Sequence, residues 1–129
     1  MENKKPHISL RELEVYKLAR QLSKLGWDIY SQLGWQDKKI IGDQFITATD
    51  SFGANISEGY NRYYFLEKIK FFYTARASLT EANDYWLELL KERNKIDEAQ
   101  YDSFGALAVK SSIKLNNFIS AIYKAKKDQ

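Results

Sequence analysis

The chain has 129 residues, a length at which one domain can bury a single hydrophobic core without outside help. Its six Gly and one Pro give few turn signals, which favours a few long elements over many short strands. The absence of Cys excludes disulfides, thiol nucleophiles, and zinc or iron–sulfur sites that need Cys ligands. No run approaches ~18 consecutive apolar residues, and the polar N-terminus does not resemble a signal peptide, so we expect a cytoplasmic protein with no membrane contact.

The net charge of +3 is unevenly distributed along the chain. Residues 59–80 hold four basic residues and one acidic residue, and residues 104–129 hold five basic and one acidic. Between them, residues 81–103 hold seven acidic and three basic residues. Such a chain can meet a polyanion with one surface and a basic neighbour with another, although an uneven soluble helix surface gives the same pattern.

A first helix is predicted from Ser9, where Ser9 and Glu12 form a capping-box pattern, to about Leu33. Apolar residues recur along it at three- and four-residue steps, which marks one buried face. The residues of this face are Leu13, Val15, Tyr16, Ala19, Leu22, Leu25, Ile29 and Leu33. A second helix is predicted over residues 37–57, with its buried stripe at Ile41, Phe45, Ala48, Phe52 and Ile56.

The third predicted helix, residues 63–92, is the longest and carries two apolar lines. The main stripe is Phe65, Ile69, Phe72, Leu79, Trp86 and Leu90. The second line has a seven-residue spacing and consists of Tyr64, Phe71, Ser78 and Tyr85. This apolar arc is wider than one packing face requires. Either the helix lies between two partners inside the bundle, or the second line, with Tyr64, Phe71 and Tyr85, packs against another subunit.

The fourth helix is predicted from the cap formed by Asp97 and Gln100 to about Lys124. Its inner residues are Tyr101, Phe104, Ala108, Leu115, Phe118 and Ile122. Short connections between long helices place sequential helices antiparallel, so the sequence predicts an all-α, up-down-up-down four-helix bundle. We expect a single domain over residues 1–129 with an ordered core at 9–124, a flexible N-terminal arm and a flexible C-terminal tail.

Catalytic and metal-binding patterns find little support in the sequence. The single His, His7, falls in the N-terminal arm, and a di-iron bundle needs two Glu-x-x-His motifs. The carboxylates of Glu81, Asp84, Glu88 and Glu92 have the spacing of a solvated helix side. The glycines Gly53 and Gly59 are not followed by the Lys-Ser/Thr of a phosphate loop. We therefore expect no enzyme activity and no cofactor.

Basic residues interleaved with aromatic ones favour a nucleic-acid surface on the third and fourth helices and the tail. Cations neutralise phosphates, and exposed Tyr rings can stack on unpaired bases. The interleaved rings are those of Tyr60, Tyr63, Tyr64 and Tyr73, and the same pattern is also compatible with core or interface positions. The predicted phosphate contacts are Arg62, Lys68, Lys70, Arg76, Lys110, Lys114, Lys124, Lys126 and Lys127. The alternative is a protein–protein interaction scaffold that uses the acidic strip and the second apolar line.

Residues 51–62, S-F-G-A-N-I-S-E-G-Y-N-R, resemble a segment of the four helix bundle proteins that are encoded in intervening sequences of bacterial 23S rRNA genes. That family carries an S-I-P-x-N-I-A-E-G-like segment followed by an Arg. The matching residues are Ser51, Ala54, Asn55, Ile56, Glu58, Gly59 and Arg62. Further matches are Leu13, Val15, Tyr16, Ala19, Gln44, Ala75, Ser78, Leu79 and Glu81, so the resemblance spans about residues 10–124.

The resemblance implies a bundle that assembles into a homopentamer and associates with RNA or DNA without enzyme activity. Related proteins are accessory factors of the reverse transcriptases of diversity-generating retroelements, which implies a possible polymerase partner. This chain departs from the family at Gly53, where the family has Pro, and at Ala77, where it has Gly. Thr47 and Ala48 replace a basic pair, so any polyanion surface must rest on the third and fourth helices and the tail.

The glycine of the N-I-S-E-G segment is expected to have a structural role. Gly59 fits a left-handed position at the end of the second helix, and Gly53 indicates a close helix approach or a slight kink. Asn55 and Glu58 are expected to satisfy backbone groups at the turn or to pair with Arg62 or Arg76.

Overall fold

The computed structural model describes residues 8–127 and forms a four-helix bundle. Helix α1 is Glu14–Gln32, and helix α2 covers residues 35–60 as Trp35–Asp37, a π-helical turn Lys38–Gly42, and Asp43–Tyr60. Helix α3 covers residues 65–92 as Phe65–Thr80, a second π-helical segment Glu81–Trp86, and Leu87–Glu92. Helix α4 is Glu98–Lys127. No strand occurs within this part of the chain, so the predicted all-α bundle is confirmed.

Consecutive helices pack against each other, and α1 also packs against α4, which closes the bundle. The predicted stripe of α2 is fully confirmed, because all five of its residues are buried. The Phe45 and Phe104 rings, from α2 and α4, meet across the centre with centroids 5.2 Å apart. Near the α2–α3 turn, the half-buried Phe118 of α4 packs edge to face against Phe72 of α3, with centroids 5.1 Å apart. Aromatic contacts between helices therefore occur both at the centre of the core and near the α2–α3 turn.

The predicted start of the first helix at Ser9 is wrong by five residues, although its capping contact is present. The Glu12 carboxylate accepts hydrogen bonds from the Ser9 backbone N–H at 3.1 Å and from Ser9 Oγ at 3.0 Å. These bonds lower the pKa of Glu12. They close only a 3₁₀ turn, Leu10–Glu12, because Leu13 is extended (φ −70°, ψ 123°). Leu13 is nonetheless buried, so the extended residue still reaches the core.

The remaining helix ends differ from expectation by a few residues. Helix α2 begins at Trp35, two residues before its predicted start, and α4 continues through Lys127 instead of ending near Lys124. The predicted cap of α4 is confirmed: Asp97 Oδ1 accepts from the Gln100 N–H at 2.7 Å, and Gln100 Oε1 accepts from the Asp97 N–H at 3.2 Å. The expected flexible arm, including His7, lies outside the described residues.

The second apolar line of α3 packs inside the chain at its middle and is exposed at its two ends. Phe71 is half-buried against Gly59 of α2, and Ser78 Oγ lies 3.2 Å from Ser51 Oγ of the same helix. The two middle members thus pack inside the chain, in the arrangement expected of a helix between two partners. Tyr64 and Tyr85, at the ends of the line, are 66% and 56% exposed.

No helix in residues 8–127 combines the length and apolarity needed to cross a membrane.

Candidate nucleic-acid interface

The turn between α2 and α3 is organised by Gly59, which lies inside the last turn of α2. The expectation of a left-handed backbone at Gly59 is wrong, because no Gly in the described residues has a positive φ. A Cβ at Gly59 would lie 2.8 Å from Phe71 Cβ, 2.9 Å from Phe72 Cε1 and 3.1 Å from the Lys68 carbonyl oxygen. Gly is required because α3 passes directly against the α2 backbone.

Lys68 serves first as a cap for α2. Its Nζ donates to the carbonyl oxygens of Gly59 at 3.2 Å and Tyr60 at 2.8 Å, groups at a helix end where intrahelical donors run out. Its ammonium also lies 5.6 Å from the centroid of the Tyr60 ring. Half-burial lowers the pKa of Lys68, because burial disfavours the charged form. The predicted phosphate contact at Lys68 is therefore a cation held in a fixed position.

The family-motif residues of α2 mainly form structural contacts. Asn55 Nδ2 donates to the Ser51 carbonyl at 2.8 Å and to Ser51 Oγ at 3.0 Å, so Ser51 links Asn55 to Ser78 on α3. Glu58 pairs with Arg62 at 3.1 Å, which confirms one of the two partners expected for it. On α3, the Glu81 carboxylate accepts from Trp86 Nε1 at 2.7 Å across the π-helical segment.

Arg62 and Lys70 lie on the α2–α3 side of the bundle. They border a hollow of about 530 Å³ together with Asn55, Glu67 and Phe71. Arg62 is flanked by two carboxylates, Glu58 at 3.1 Å and Glu67 at 4.0 Å. These carboxylates partly neutralise the positive potential on this side, which makes it the weaker candidate for a polyanion.

Arg76 lies on the opposite side of α3. Its guanidinium donates to Asn116 Oδ1 of α4 at 3.0 Å and lies 4.9 Å from the centroid of the Tyr73 ring. Lys110 and Lys114 are exposed on α4, and Lys114 is about 15 Å along the helix from Lys124. The structure therefore divides the predicted basic residues among several surfaces.

The largest concentration of cations and aromatic rings lies where the α2–α3 turn meets the last turns of α4. A hollow of about 430 Å³ opens there, and a second of about 780 Å³ adjoins it, both lined by Phe65 and Lys126. We call this surface the lysine-rich end. It consists of Tyr63, Tyr64, Phe65, Lys68, Ile122, Tyr123, Lys124, Ala125, Lys126 and Lys127. Within residues 8–127, no carboxylate lines either hollow, so the charged side chains that the structure describes there are all cationic.

Contacts between α3 and α4 fix the shape of this end. Lys126 Nζ lies 5.4 Å from the centroid of the Phe65 ring, and the Phe65 and Tyr123 rings meet edge to face at 5.1 Å. The hydroxyl groups of Tyr73 and Tyr123 are hydrogen-bonded, and this bond raises the pKa of Tyr123. Sequence reasoning missed Tyr123 and used Phe65 and Ile122 only as core residues. The aromatic–lysine order of Y-K-A-K-K was the available signal.

Within residues 8–127, no group of three or more His, Cys, Asp or Glu side chains is placed to hold a metal ion. Two acidic residues of α3, Glu81 and Glu88, form hydrogen bonds with aromatic side chains instead. Glu88 accepts a hydrogen bond from the Tyr101 hydroxyl and thereby raises the pKa of Tyr101. The lysine-rich end is therefore the candidate functional site.

The chain is similar to known proteins both in sequence and in fold. A family model described as 23S rRNA-intervening sequence protein matches residues 11–117. The chain is also similar to a crystal structure of a protein of unknown function from the S23 ribosomal protein family of Bacteroides thetaiotaomicron VPI-5482. The identity is 24%, the alignment covers 81% of this chain and 97% of that one, and the TM-score is 0.75. This second likeness concerns the fold alone. No curated protein matches the chain.

Proposed function

The chain belongs to the family of 23S rRNA-intervening sequence proteins, and we propose that it is a non-catalytic, self-associating bundle that binds RNA or DNA in the cytoplasm. The observation that carries the proposal is the lysine-rich end, where four Lys side chains lie beside exposed aromatic rings and, among residues 8–127, no carboxylate lines the hollows. Ammonium groups release counterions from phosphates, and exposed rings stack on bases. Binding of this kind is largely independent of base sequence.

Neutralising Lys124, Lys126 and Lys127 to Gln should weaken binding to single-stranded RNA. Three lost phosphate contacts lower the salt slope of log K by about 2, which is roughly two orders of magnitude in affinity at 0.1 M salt. Fluorescence anisotropy over a series of salt concentrations measures both quantities. The matched control neutralises three exposed lysines on α1 and α2, Lys17, Lys24 and Lys39, with the same change in net charge. Equal losses in both variants would contradict an interface at the lysine-rich end.

Self-association is supported by apolar surface on the outer sides of α3 and α4. Tyr85 is 56% exposed on α3, and Val109 and Ile113 are 58% and 55% exposed one turn apart on α4. Val109 and Ile113 line a hollow of about 250 Å³ between the two helices. Within residues 8–127, the buried Asn83 Oδ1 at this hollow has no hydrogen-bond partner. A second subunit would cover the apolar surface, and the pentamer is the assembly that the family resemblance implies.

The paired substitution Val109→Glu and Ile113→Glu should therefore reduce the assembly to smaller species, because two carboxylates cannot be buried there without large desolvation. Sedimentation equilibrium gives the mass of each species. Thr47→Glu, at an exposed site on α2, is the control and should leave the mass unchanged. A monomeric wild-type protein would contradict the assembly.

The same apolar surface also favours the second candidate, an interaction scaffold for a protein partner such as a reverse transcriptase. The acidic strip of α3 would then meet a basic partner. The test is whether a protein partner stays bound to the wild-type chain after nuclease treatment. Binding that survives this treatment, and that the Val109→Glu, Ile113→Glu variant loses, favours the scaffold over an association bridged by nucleic acid.

A further inference from the structure

We propose that the 430 Å³ hollow of the lysine-rich end binds one unpaired nucleotide of a nucleic-acid strand, with its base against Tyr63 and its phosphate near Lys68 and Lys126. This inference rests on the proposed nucleic-acid association and names the part of the strand that is recognised. The hollow lies between the α2–α3 turn and the last turns of α4. Its volume is in the range of small-ligand sites, which suits a single nucleotide.

The aromatic side of the hollow is formed by the turn itself. Tyr63 is 89% exposed, and its ring meets that of Tyr64 edge to face with centroids 5.1 Å apart. The edge-to-face contact orients the Tyr63 ring while leaving most of its surface open to solvent. A flat apolar surface of this kind accepts the face of a base, and stacking tolerates any base identity.

The cationic side is held in place before a ligand arrives. Lys68 Nζ uses two donors on the Gly59 and Tyr60 carbonyls, so one of its three N–H groups remains for an anion. Lys126 is positioned over the Phe65 ring. Because both ammonium groups are already oriented, little side-chain entropy is lost when they contact a phosphate.

The neighbouring hollow suggests how the strand continues. It shares Phe65 and Lys126 with the first hollow and adds Tyr123, Lys124 and Lys127. A strand whose base stacks on Tyr63 would therefore pass Lys126 and meet further cations at its adjacent phosphates. A base-paired strand cannot use Tyr63 in this way, since its base faces are stacked on their neighbours. Preference for an unpaired strand is the consequence.

The test compares wild-type protein with Tyr63→Ala and Tyr63→Phe, using a labelled uridine-rich single strand and an RNA duplex of equal length. Tyr63→Ala should weaken single-strand binding about tenfold, leave the salt slope unchanged, and leave duplex binding unaffected. Tyr63→Phe keeps the ring and should bind like wild type. Because Tyr63 lies in the exposed turn, circular dichroism of all three proteins should be identical.

The outcomes distinguish failure of the nucleotide site alone from failure of the proposed function. Salt-dependent binding that is unaffected by Tyr63→Ala, or lost equally for single strand and duplex, would overturn the nucleotide site and leave the electrostatic interface intact. Competition by polyglutamate that matches competition by the unlabelled single strand would also overturn it, because a polyanion without bases would then suffice. Absence of binding to both RNAs would overturn the proposed function together with the inference.

Discussion

Gly59→Ala is expected to destabilise the protein by about 1–3 kcal/mol, the usual cost of overpacking a close contact. The sign of this stability change is informative. Gly59 lies in a helix, and Ala is the better helix former by about 1 kcal/mol, so helix propensity alone would make the substitution stabilising. The new Cβ would lie 2.8 Å from Phe71 Cβ and 3.1 Å from the Lys68 carbonyl oxygen. The backbone oxygen cannot move alone, so the first turns of α3 must shift away from α2.

Gly105→Ala is the matched control for this substitution. Gly105 is also inside a helix, but a Cβ there would meet only Asn83 Oδ1, at an ordinary distance of 3.9 Å. The Gly105→Ala substitution should stabilise the protein by up to about 1 kcal/mol, because Ala has the higher helix propensity. Urea denaturation of both variants measures the two free energies of unfolding. If Gly59→Ala were as stable as Gly105→Ala, the close approach of α2 and α3 would be contradicted.

Phe72→Ala is expected to cost about 3–5 kcal/mol, because Phe72 is fully buried and its removal leaves a cavity. Its ring lies 5.1 Å from Phe118 of α4 and beside Gly59 of α2, so three helices lose a shared contact. The midpoint of thermal unfolding should fall by roughly 10–20 °C. Leu66→Ala is the control. Leu66 lies on the same helix but is 76% exposed, so its replacement should change stability by less than about 0.5 kcal/mol. A small effect at Phe72 would contradict the aromatic core.

The periodicity of apolar residues was sufficient to predict the fold. Phe45, Phe52, Phe72 and Phe104 were each placed on an inner face by three- and four-residue spacing, and all four are fully buried. The Asp97–Gln100 cap was also readable, because both of its partners lie within one helical turn. Features that depend on neighbouring residues in the chain could therefore be predicted.

Features that depend on contacts between helices could not be read in the same way. Gly59 looked like a helix terminator because its sequence position fits one, whereas its true requirement is the passage of Phe71 and Phe72. Among the described residues, the left-handed conformation occurs at Asn94 (φ 59°), after the end of α3. The extended Leu13 was also missed, because a buried position has the same spacing whether the backbone is helical or extended.

The candidate interface was predicted as a set of cations, and their grouping required the fold. Sequence spacing places Lys68 and Lys126 far apart in the chain, whereas both line one hollow. The division of Arg62, Lys70 and Arg76 between two sides of α3 depends on the direction in which α2 and α4 approach it. Of the two carboxylates beside Arg62, the sequence predicted Glu58, which is four residues away, but not Glu67 from the next helix.

The salt dependence of wild-type binding to single-stranded RNA tests the central claim most directly. Phosphate contacts by Lys68, Lys124, Lys126 and Lys127 predict that log K falls linearly with log salt concentration, with a slope of about −3. Binding should remain measurable at near-physiological ionic strength. A slope near zero, or no binding at that ionic strength, would contradict association with nucleic acid through the lysine-rich end.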